Sequence, residues 1–177
     1  LSPVISIEQK TVGRNPRSTV GTITEVYDYL RLLYAKVATA YSYVTGEKMV
    51  KYSSSQIRDL ILQHFKDEQV NILSPIIKGR KGHYRELFQQ ISKQGFVRVR
   101  VDGEIKEIKP RMQLDRYKIH DIEIVVDRLT IDNTKGKRLL ESIELALKRG
   151  KGGLMIHSES SNNVRFYSRQ LMCPTSG

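Results

Sequence analysis

The sequence has a single cysteine, no tryptophan and no long hydrophobic run. Cys173 alone can form neither a disulfide bond within the chain nor a multi-cysteine zinc site. This cysteine usage fits a reducing compartment such as the cytoplasm. No stretch reaches the roughly 18 consecutive apolar residues that a membrane span requires. The sequence therefore gives no sign of a disulfide-stabilised or membrane-spanning protein.

The common nucleotide-binding motifs are missing as well. A P-loop needs the pattern G-x-x-x-x-G-K-[ST], so that backbone N–H groups surround the phosphates. The GKGG segment at 150–153 has neither that spacing nor the hydroxyl, and no G-x-G-x-x-G pattern is present. The four histidines are spread along the chain, none within four residues of another or of Cys173, so they offer no local pair of metal ligands. From these residues we expect no catalytic site and no metal site.

Positive charge is what the sequence has in excess. Lysine and arginine number 30 against 19 for aspartate and glutamate, which gives a net charge of +11. The 39% hydrophobic and 28% charged residues are typical of a globular protein. The excess of cations indicates a polyanion or an acidic protein surface as partner.

Hydrophobic periodicity predicts an α+β fold. A long helix begins with Thr22 as N-cap and Glu25 as its capping-box partner and runs to about Ala40, and Ser53 and Gln56 predict a second capping box. Further helices are expected over 84–91 and 139–147, strands over 1–10, 70–77, 120–129, 154–156 and 164–166, a hairpin over 96–108, and a basic loop over 78–82. The pattern predicts a small mixed domain of helices and antiparallel sheet, about 100 residues long, after an N-terminal strand, loop and long helix.

The hairpin is the strongest local signal. Val97, Val99 and Val101 alternate with Arg98 and Arg100, and an Asp-Gly pair follows. Because alternate residues of a strand point to opposite faces, we expect the valines in the core and both arginines on an exposed basic face. Lys106 is expected near this face, across the hairpin.

Other cations form two further groups. Lys78, Arg80 and Lys81 lie in the glycine-punctuated basic loop, and Arg14 and Arg17 lie in the long loop before the first helix. Arginine pairs well with carboxylates and phosphates. Docking to an acidic protein and contact with a nucleic-acid backbone are both consistent with these residues, as is a solvated surface without a partner.

Seven segments along the chain match a known family in order. They are LSPVISIEQK at 1–10, NPRSTVGT at 15–22, TEVYDYLRLL at 24–33, GRKG at 79–82, GFVRVRVDGE at 95–104, VVDR at 125–128 and SIELAL at 142–147. They resemble the bacterial UvrA family, the damage-sensing ATPases of nucleotide excision repair. The resemblance implies a piece of the N-terminal half of a longer protein, with the Walker A motif upstream of Leu1.

The resemblance also implies how the chain is divided. Residues 1–49 resemble part of the ATP-binding and signature domain I of an ABC-type ATPase, 50–167 the inserted UvrB-binding domain, and 168–177 the return segment of a zinc module. Gln9 resembles the Q-loop glutamine, which couples bound ATP and Mg²⁺ to domain movement. DNA contact belongs to the assembled UvrA dimer, and Arg14 and Arg17 are the nearest candidates in this chain.

By the same resemblance, the partner of the inserted domain is UvrB. The implied docking residues are Arg80, Lys81, Arg98, Arg100, Asp127 and Arg128. This favours an acidic protein over direct DNA contact, and without a Walker A motif the fragment is expected to be inactive alone as an ATPase. The alternative is a free-standing basic nucleic-acid-binding domain.

One departure from the family pattern concerns zinc. Family members usually carry two cysteine-containing pairs of zinc ligands here, and these positions fall on Ser42, Thr45, Cys173 and Ser176. One thiolate with hydroxyls does not make a tetrahedral zinc site. We therefore expect that zinc is absent. We expect instead that apolar packing by Tyr41 and Tyr43 holds together the two chain crossings, the segments through which the chain enters and leaves the inserted domain.

Overall fold

The computed structural model describes Val20, residues 26–132, residues 136–173 and Thr175. Contacts divide the chain into two compact units, Leu1–Thr39 and Ala40–Gly177. The predictions for the N-terminal strand, the first capping box, Gln9, Arg14, Arg17 and Ser176 lie outside the described residues.

The described part of the first unit is mainly one helix. Helix α1 spans Val26–Val37 and none of its residues is buried. Its end comes at Val37, a turn earlier than the sequence indicated. Large apolar side chains such as Tyr29 and Tyr34 are exposed on it.

The second unit is built on one antiparallel sheet of six strands in its described residues. The strands are β1 Gln69–Lys81, β2 Arg98–Val101, β3 Glu104–Glu107, β4 Ile119–Thr130, β5 Gly153–Ser158 and β6 Val164–Ser168. Their order in the sheet is β3-β2-β4-β1-β5-β6, so the two long strands β1 and β4 form its centre. The predicted α+β class is confirmed.

Strand β1 is longer than predicted. It runs on through the basic segment that we interpreted as a loop, because β4 continues to pair with it as far as Lys81. Three register irregularities interrupt this pairing. Such bulges bend a strand and increase its twist.

Three helices pack against one face of the sheet. They are α2 Ser54–His64, α3 Arg85–Lys93 and α4 Gly136–Arg149. Helix α2 begins with the predicted capping box, in which the Ser53 hydroxyl accepts from the Gln56 amide and the Gln56 side chain accepts from the Ser53 amide. Helices α2 and α4 bury Ile61 and Ile143 against Ile72 and Ile156 of the sheet.

Helix α3 covers the hairpin end of the same face. Phe88 and Ile91 pack there against Val99, Val101 and Ile122. The predicted core positions of Val99 and Val101 are therefore confirmed. None of the helices in the described part of the chain is both long and apolar enough to cross a membrane.

Val97 is an exception, because it lies just before β2 and is 64% exposed. Its carbonyl accepts from the Ile108 amide at 2.9 Å, which closes the open end of the hairpin. The prediction that it belongs to the core is wrong, since strand alternation holds only within the paired residues.

The predicted hairpin turn is confirmed. Asp102 and Gly103 have φ of 52° and 92°, the left-handed values that a two-residue type I′ turn needs. The turn pairs Val101 with Glu104 and therefore Val99 with Lys106. Paired residues share a face, so Lys106 lies on the valine side and its predicted place beside the arginines is wrong.

The opposite face of the sheet has a core of its own. Leu73, Val125 and Met155 are buried there, with Val164 and Phe166 packed against them. This third cluster draws only on strand residues, and no helix of the described chain contributes to it. We call this side the helix-free face.

Candidate partner-binding surface

Arg98 begins β2 and is exposed. Glu107 is its register partner on β3, yet no ion pair joins the two, and Arg98 has no charged partner among the described residues. Its prediction as an exposed cation is confirmed. A guanidinium in this position can bind an external carboxylate or phosphate without breaking an internal pair.

Arg100 is different, although it lies on the same face two residues later. Its side chain is only 15% exposed, and its Nη1 atom lies 3.6 Å from Oε2 of Glu123, whose side chain is 6% exposed. Burial raises the pKa of Glu123 to about 7, against the lowering effect of Arg100. The prediction that Arg100 lies on an exposed basic face is wrong, because Glu123 on β4 is its register partner and compensates its charge.

Arg80 and Lys81 are exposed at the end of β1. The Tyr84 hydroxyl contacts their carbonyl oxygens at 3.0 and 3.1 Å, which fixes the chain where it leaves the strand. His120 is the register partner of Arg80. These two cations are presented by a paired strand and not by the loop that the sequence indicated.

Beside Arg80 and Lys81, His120 of β4 is hydrogen-bonded to the turn of the hairpin. Its Nδ1 lies 2.7 Å from Oδ2 of Asp102, and its Nε2 lies 2.9 Å from the carbonyl oxygen of Asp115. Both partners are acceptors, so the ring donates from both nitrogens when it is protonated. The hydrogen bond to Asp102, followed by that to Asp115, raises the pKa of His120 above its ordinary value.

Asp127 and Arg128 belong to internal networks. Asp127 accepts from Arg138 at 2.7 and 3.0 Å and from the Ser142 hydroxyl at 2.7 Å, both on α4. Burial opposes ionisation of Asp127, but these hydrogen bonds hold its pKa below the usual value. Arg128 forms an ion pair with Glu159, and 41% of its side chain stays exposed.

The predicted docking residues therefore do not form one cluster. Val99, next to Arg98, pairs with Ile124, whereas Arg80 pairs with His120. These two positions are four residues apart on β4, which is roughly 13 Å along the strand. Arg98 and the Arg80–Lys81 pair are separate exposed cations, while Arg100, Asp127 and Arg128 are paired within the chain.

Three of the four positions that correspond to family zinc ligands, Ser42, Thr45 and Cys173, lie close together. The Thr45 hydroxyl lies 3.2 Å from the Cys173 sulfur, whose thiol donates to Glu47 at 3.4 Å. The buried Ser42 hydroxyl accepts from the amides of Val44 and Thr45. Sequence reasoning missed Glu47, although it lies two residues from Thr45. Over the described ranges, no group of three or more histidine, cysteine or acidic side chains is placed to hold a metal ion.

The two chain crossings are held by backbone pairing. Val50 and Met172 exchange two hydrogen bonds of 2.9 and 3.0 Å. Tyr41 is 62% exposed and Tyr43 fully exposed, so the prediction that tyrosine packing holds the crossings is wrong. This antiparallel bridge joins the two crossings next to Cys173, and the Tyr52 amide adds a hydrogen bond of 2.8 Å to the Ser168 carbonyl.

Sequence reasoning also missed a cavity of about 490 Å³ on the helix-free face. Arg100 and Glu123 line it together with Met155 and Phe166. No sequence signal could have found it, because the lining comes from strands that are distant in sequence and adjacent only in the sheet.

Comparison with known proteins identifies the family. Residues 52–160 match the family model described as the UvrA interaction domain. This chain belongs to the UvrA interaction domain family. The matched range contains the five strands from β1 to β5 in full, and β6 follows it.

Individual relatives agree along the whole chain. UvrABC system protein A of Deinococcus radiodurans is 43% identical over 184 residues and covers 100% of the chain. The proteins of the same name from Methanothermobacter thermautotrophicus and Bacillus subtilis are 46% and 44% identical and cover 98% and 100% of the chain. The chain spans only 18% of the length of each of these three relatives.

Proposed function

We propose that this chain is the UvrB-binding region of a UvrA-type damage-recognition ATPase of nucleotide excision repair, together with part of its first signature domain. The observation that carries the proposal is the match of 62% of the chain's length, residues 52–160 of 177, to the UvrA interaction domain. In this role the module binds UvrB while the ATPase body tests DNA for lesions. ATP, Mg²⁺ and DNA contact are functions of the whole protein, with Gln9, Arg14 and Arg17 as the contributions from this chain.

The docking surface that we propose is centred on Arg98. Its charge is exposed and has no partner among the described residues, so binding an acidic surface breaks no internal pair. Arg80 and Lys81 add two cations at the end of β1, where it pairs with the start of β4. Arg128 adds the exposed part of its side chain. Arg100 and Asp127 contribute by holding Glu123 and Arg138 in place.

The direct test is a calorimetric titration of the chain with purified UvrB, and in parallel with duplex DNA. The proposal requires saturable binding of UvrB and no binding of DNA at the same concentrations. The second candidate, a basic nucleic-acid-binding module, is favoured by the net charge of +11. It predicts the reverse result, with DNA affinity falling steeply as salt is raised.

Charge reversal at Arg98 should weaken UvrB binding by at least about tenfold, or 1.4 kcal/mol. An attractive contact becomes a repulsive one, while the fold loses no ion pair. Calorimetry with the Arg98→Glu variant measures the change.

Arg165→Glu is the matched control. Arg165 is exposed on β6, four strands from β2 in the sheet, or roughly 19 Å away. The Arg165→Glu substitution changes the net charge by the same amount as Arg98→Glu. It should leave the affinity for UvrB within about twofold of that of the unmodified chain. Equal losses in the two variants would mean that only overall charge matters, and the Arg98-centred surface would be refuted.

We further propose that the module does not contain zinc. Only Cys173 supplies a thiolate, and it already contacts Thr45 and Glu47. Elemental analysis of protein purified without chelators should give far less than one zinc per chain. A stoichiometric zinc content that persists through dialysis would contradict this proposal.

A further inference from the structure

A groove of about 570 Å³ lies between helix α3 and the segment at 108–112. Helix α3 contributes one face to it, because the lining residues of the helix follow one another at the spacing of neighbouring turns. The half-buried side chains of Ile108 and Met112 add apolar surface. The groove therefore combines an apolar surface with the polar rim of an exposed helix.

Every charged side chain that lines this groove is a cation, and all four cations are exposed. Of the acids close in sequence, Glu86 is not part of the lining, and Glu107 lines an adjoining cavity instead. Within the described chain, none of the four cations forms an ion pair or a side-chain hydrogen bond. Like charges around one groove repel one another and attract an external anion. The four cations are Arg85 and Lys93 on α3, and Lys109 and Arg111 on the opposite side.

The segment opposite α3 is fixed at both ends by backbone hydrogen bonds. The Ile108 amide donates to the Val97 carbonyl oxygen at 2.9 Å. The Leu114 amide donates to the His83 carbonyl oxygen at 2.9 Å. Between them, Arg111 has φ of 63°, a left-handed conformation that is uncommon for a residue other than glycine. Such backbone is concentrated at binding sites, and a fixed segment loses little conformational entropy when a ligand binds.

We propose that this groove binds an acidic amphipathic helix presented by a protein partner. The carboxylates of the helix pair with the cations on both sides, and its apolar stripe lies against Ile108 and Met112. Arg85 and Lys93 are eight residues apart, or roughly 12 Å along α3, and carboxylates seven residues apart on the partner helix are separated by roughly 10.5 Å. This site goes beyond the proposed UvrB docking surface. It lies on the face of the sheet that α3 covers, whereas Arg98 belongs to the opposite face.

Other anions match the groove less well. A single phosphate ion is too short to reach the cations at both ends of α3. A single-stranded nucleic acid binds by stacking its bases on aromatic side chains, but Phe88, the aromatic residue of the lining, is only 1% exposed. A polyanion without apolar side chains leaves Ile108 and Met112 uncovered. An acidic helix with one apolar face satisfies both the charge and the apolar surface of the groove.

The test is a fluorescence-anisotropy titration of labelled probes with the 177-residue chain. The main probe is a helical peptide of about 20 residues that carries a leucine stripe flanked by glutamates. The comparison probes are a peptide of the same composition in scrambled order and a thymidine oligonucleotide of similar length. The ordered peptide should bind at least about tenfold more tightly than either, because only it presents carboxylates beside an apolar face. No binding of the ordered peptide, or equally tight binding of a comparison probe, would overturn the proposal.

Charge reversal on each side of the groove provides a second measurement. Arg85→Glu and Lys109→Glu should each weaken binding of the ordered peptide by at least about tenfold, since an attractive contact becomes a repulsive one. A glutamate at position 85 is favourable to α3 itself, because it lies in the first turn of the helix. Arg165→Glu, on β6, is the matched control and should leave the affinity within about twofold. Equal affinities of all three variants would refute the groove as the binding site. Should a variant not fold, the comparison of the three probes on the unmodified chain still decides the question.

Discussion

Replacing Arg100 with alanine should lower the free energy of unfolding by about 3 kcal/mol at pH 8. The substitution leaves the carboxylate of Glu123 buried without its only cationic partner in the described chain. Arg98→Ala is the matched control, two residues away on the same face of β2, and should change the stability by less than about 0.5 kcal/mol. Urea denaturation of both variants measures the difference.

The cost of losing Arg100 should depend on pH. The pKa of Glu123 is raised from 4.5 to about 7, so the folded state binds this proton more tightly than the unfolded state between those values. The stability of the unmodified chain from this group therefore falls as pH rises from 4.5 to 7. At pH 5 the carboxyl is largely protonated, and the Arg100→Ala loss should shrink. A loss of equal size at pH 5 and pH 8 would show that packing, and not the ion pair, is what Arg100 supplies.

The second large effect is expected at Gly150, which closes α4 before β5. A Cβ atom there would lie 2.1 Å from the carbonyl oxygen of Gly153 and 3.0 Å from the Ser74 hydroxyl. Backbone must shift to admit it, so Gly150→Ala should lower the free energy of unfolding by about 3 kcal/mol. Gly136→Ala is the control at the start of the same helix, where nothing lies within 4 Å of the added Cβ. It should be neutral or stabilise by up to about 1 kcal/mol. Similar midpoints for the two variants in thermal unfolding would contradict this.

Local signals in the sequence predicted much of the fold. The Ser53–Gln56 capping box and the Asp102–Gly103 turn depend on neighbouring residues, and both are found in the structure. These features depend on short-range hydrogen bonds and backbone angles, which the residue types themselves determine.

The sequence did not allow us to predict which residues of distant strands pair. Nothing near Arg100 in sequence indicates that Glu123 lies opposite it, since β4 follows β3 only after a long connection. The basic segment at the end of β1 has the composition of a loop, yet β4 extends it as a strand. The set of candidate docking residues therefore differs from the prediction. Strand pairing places Glu123 beside Arg100 and compensates its charge, whereas Arg98 stays exposed.

The claim that Arg98 is the centre of the docking surface is tested most directly by arginine footprinting. Labelling with phenylglyoxal and mass spectrometry would compare Arg98 with Arg165, both exposed, before and after saturation with UvrB. We predict that UvrB protects Arg98 and leaves Arg165 as reactive as before. Unchanged reactivity of Arg98 in a saturated complex would contradict the account.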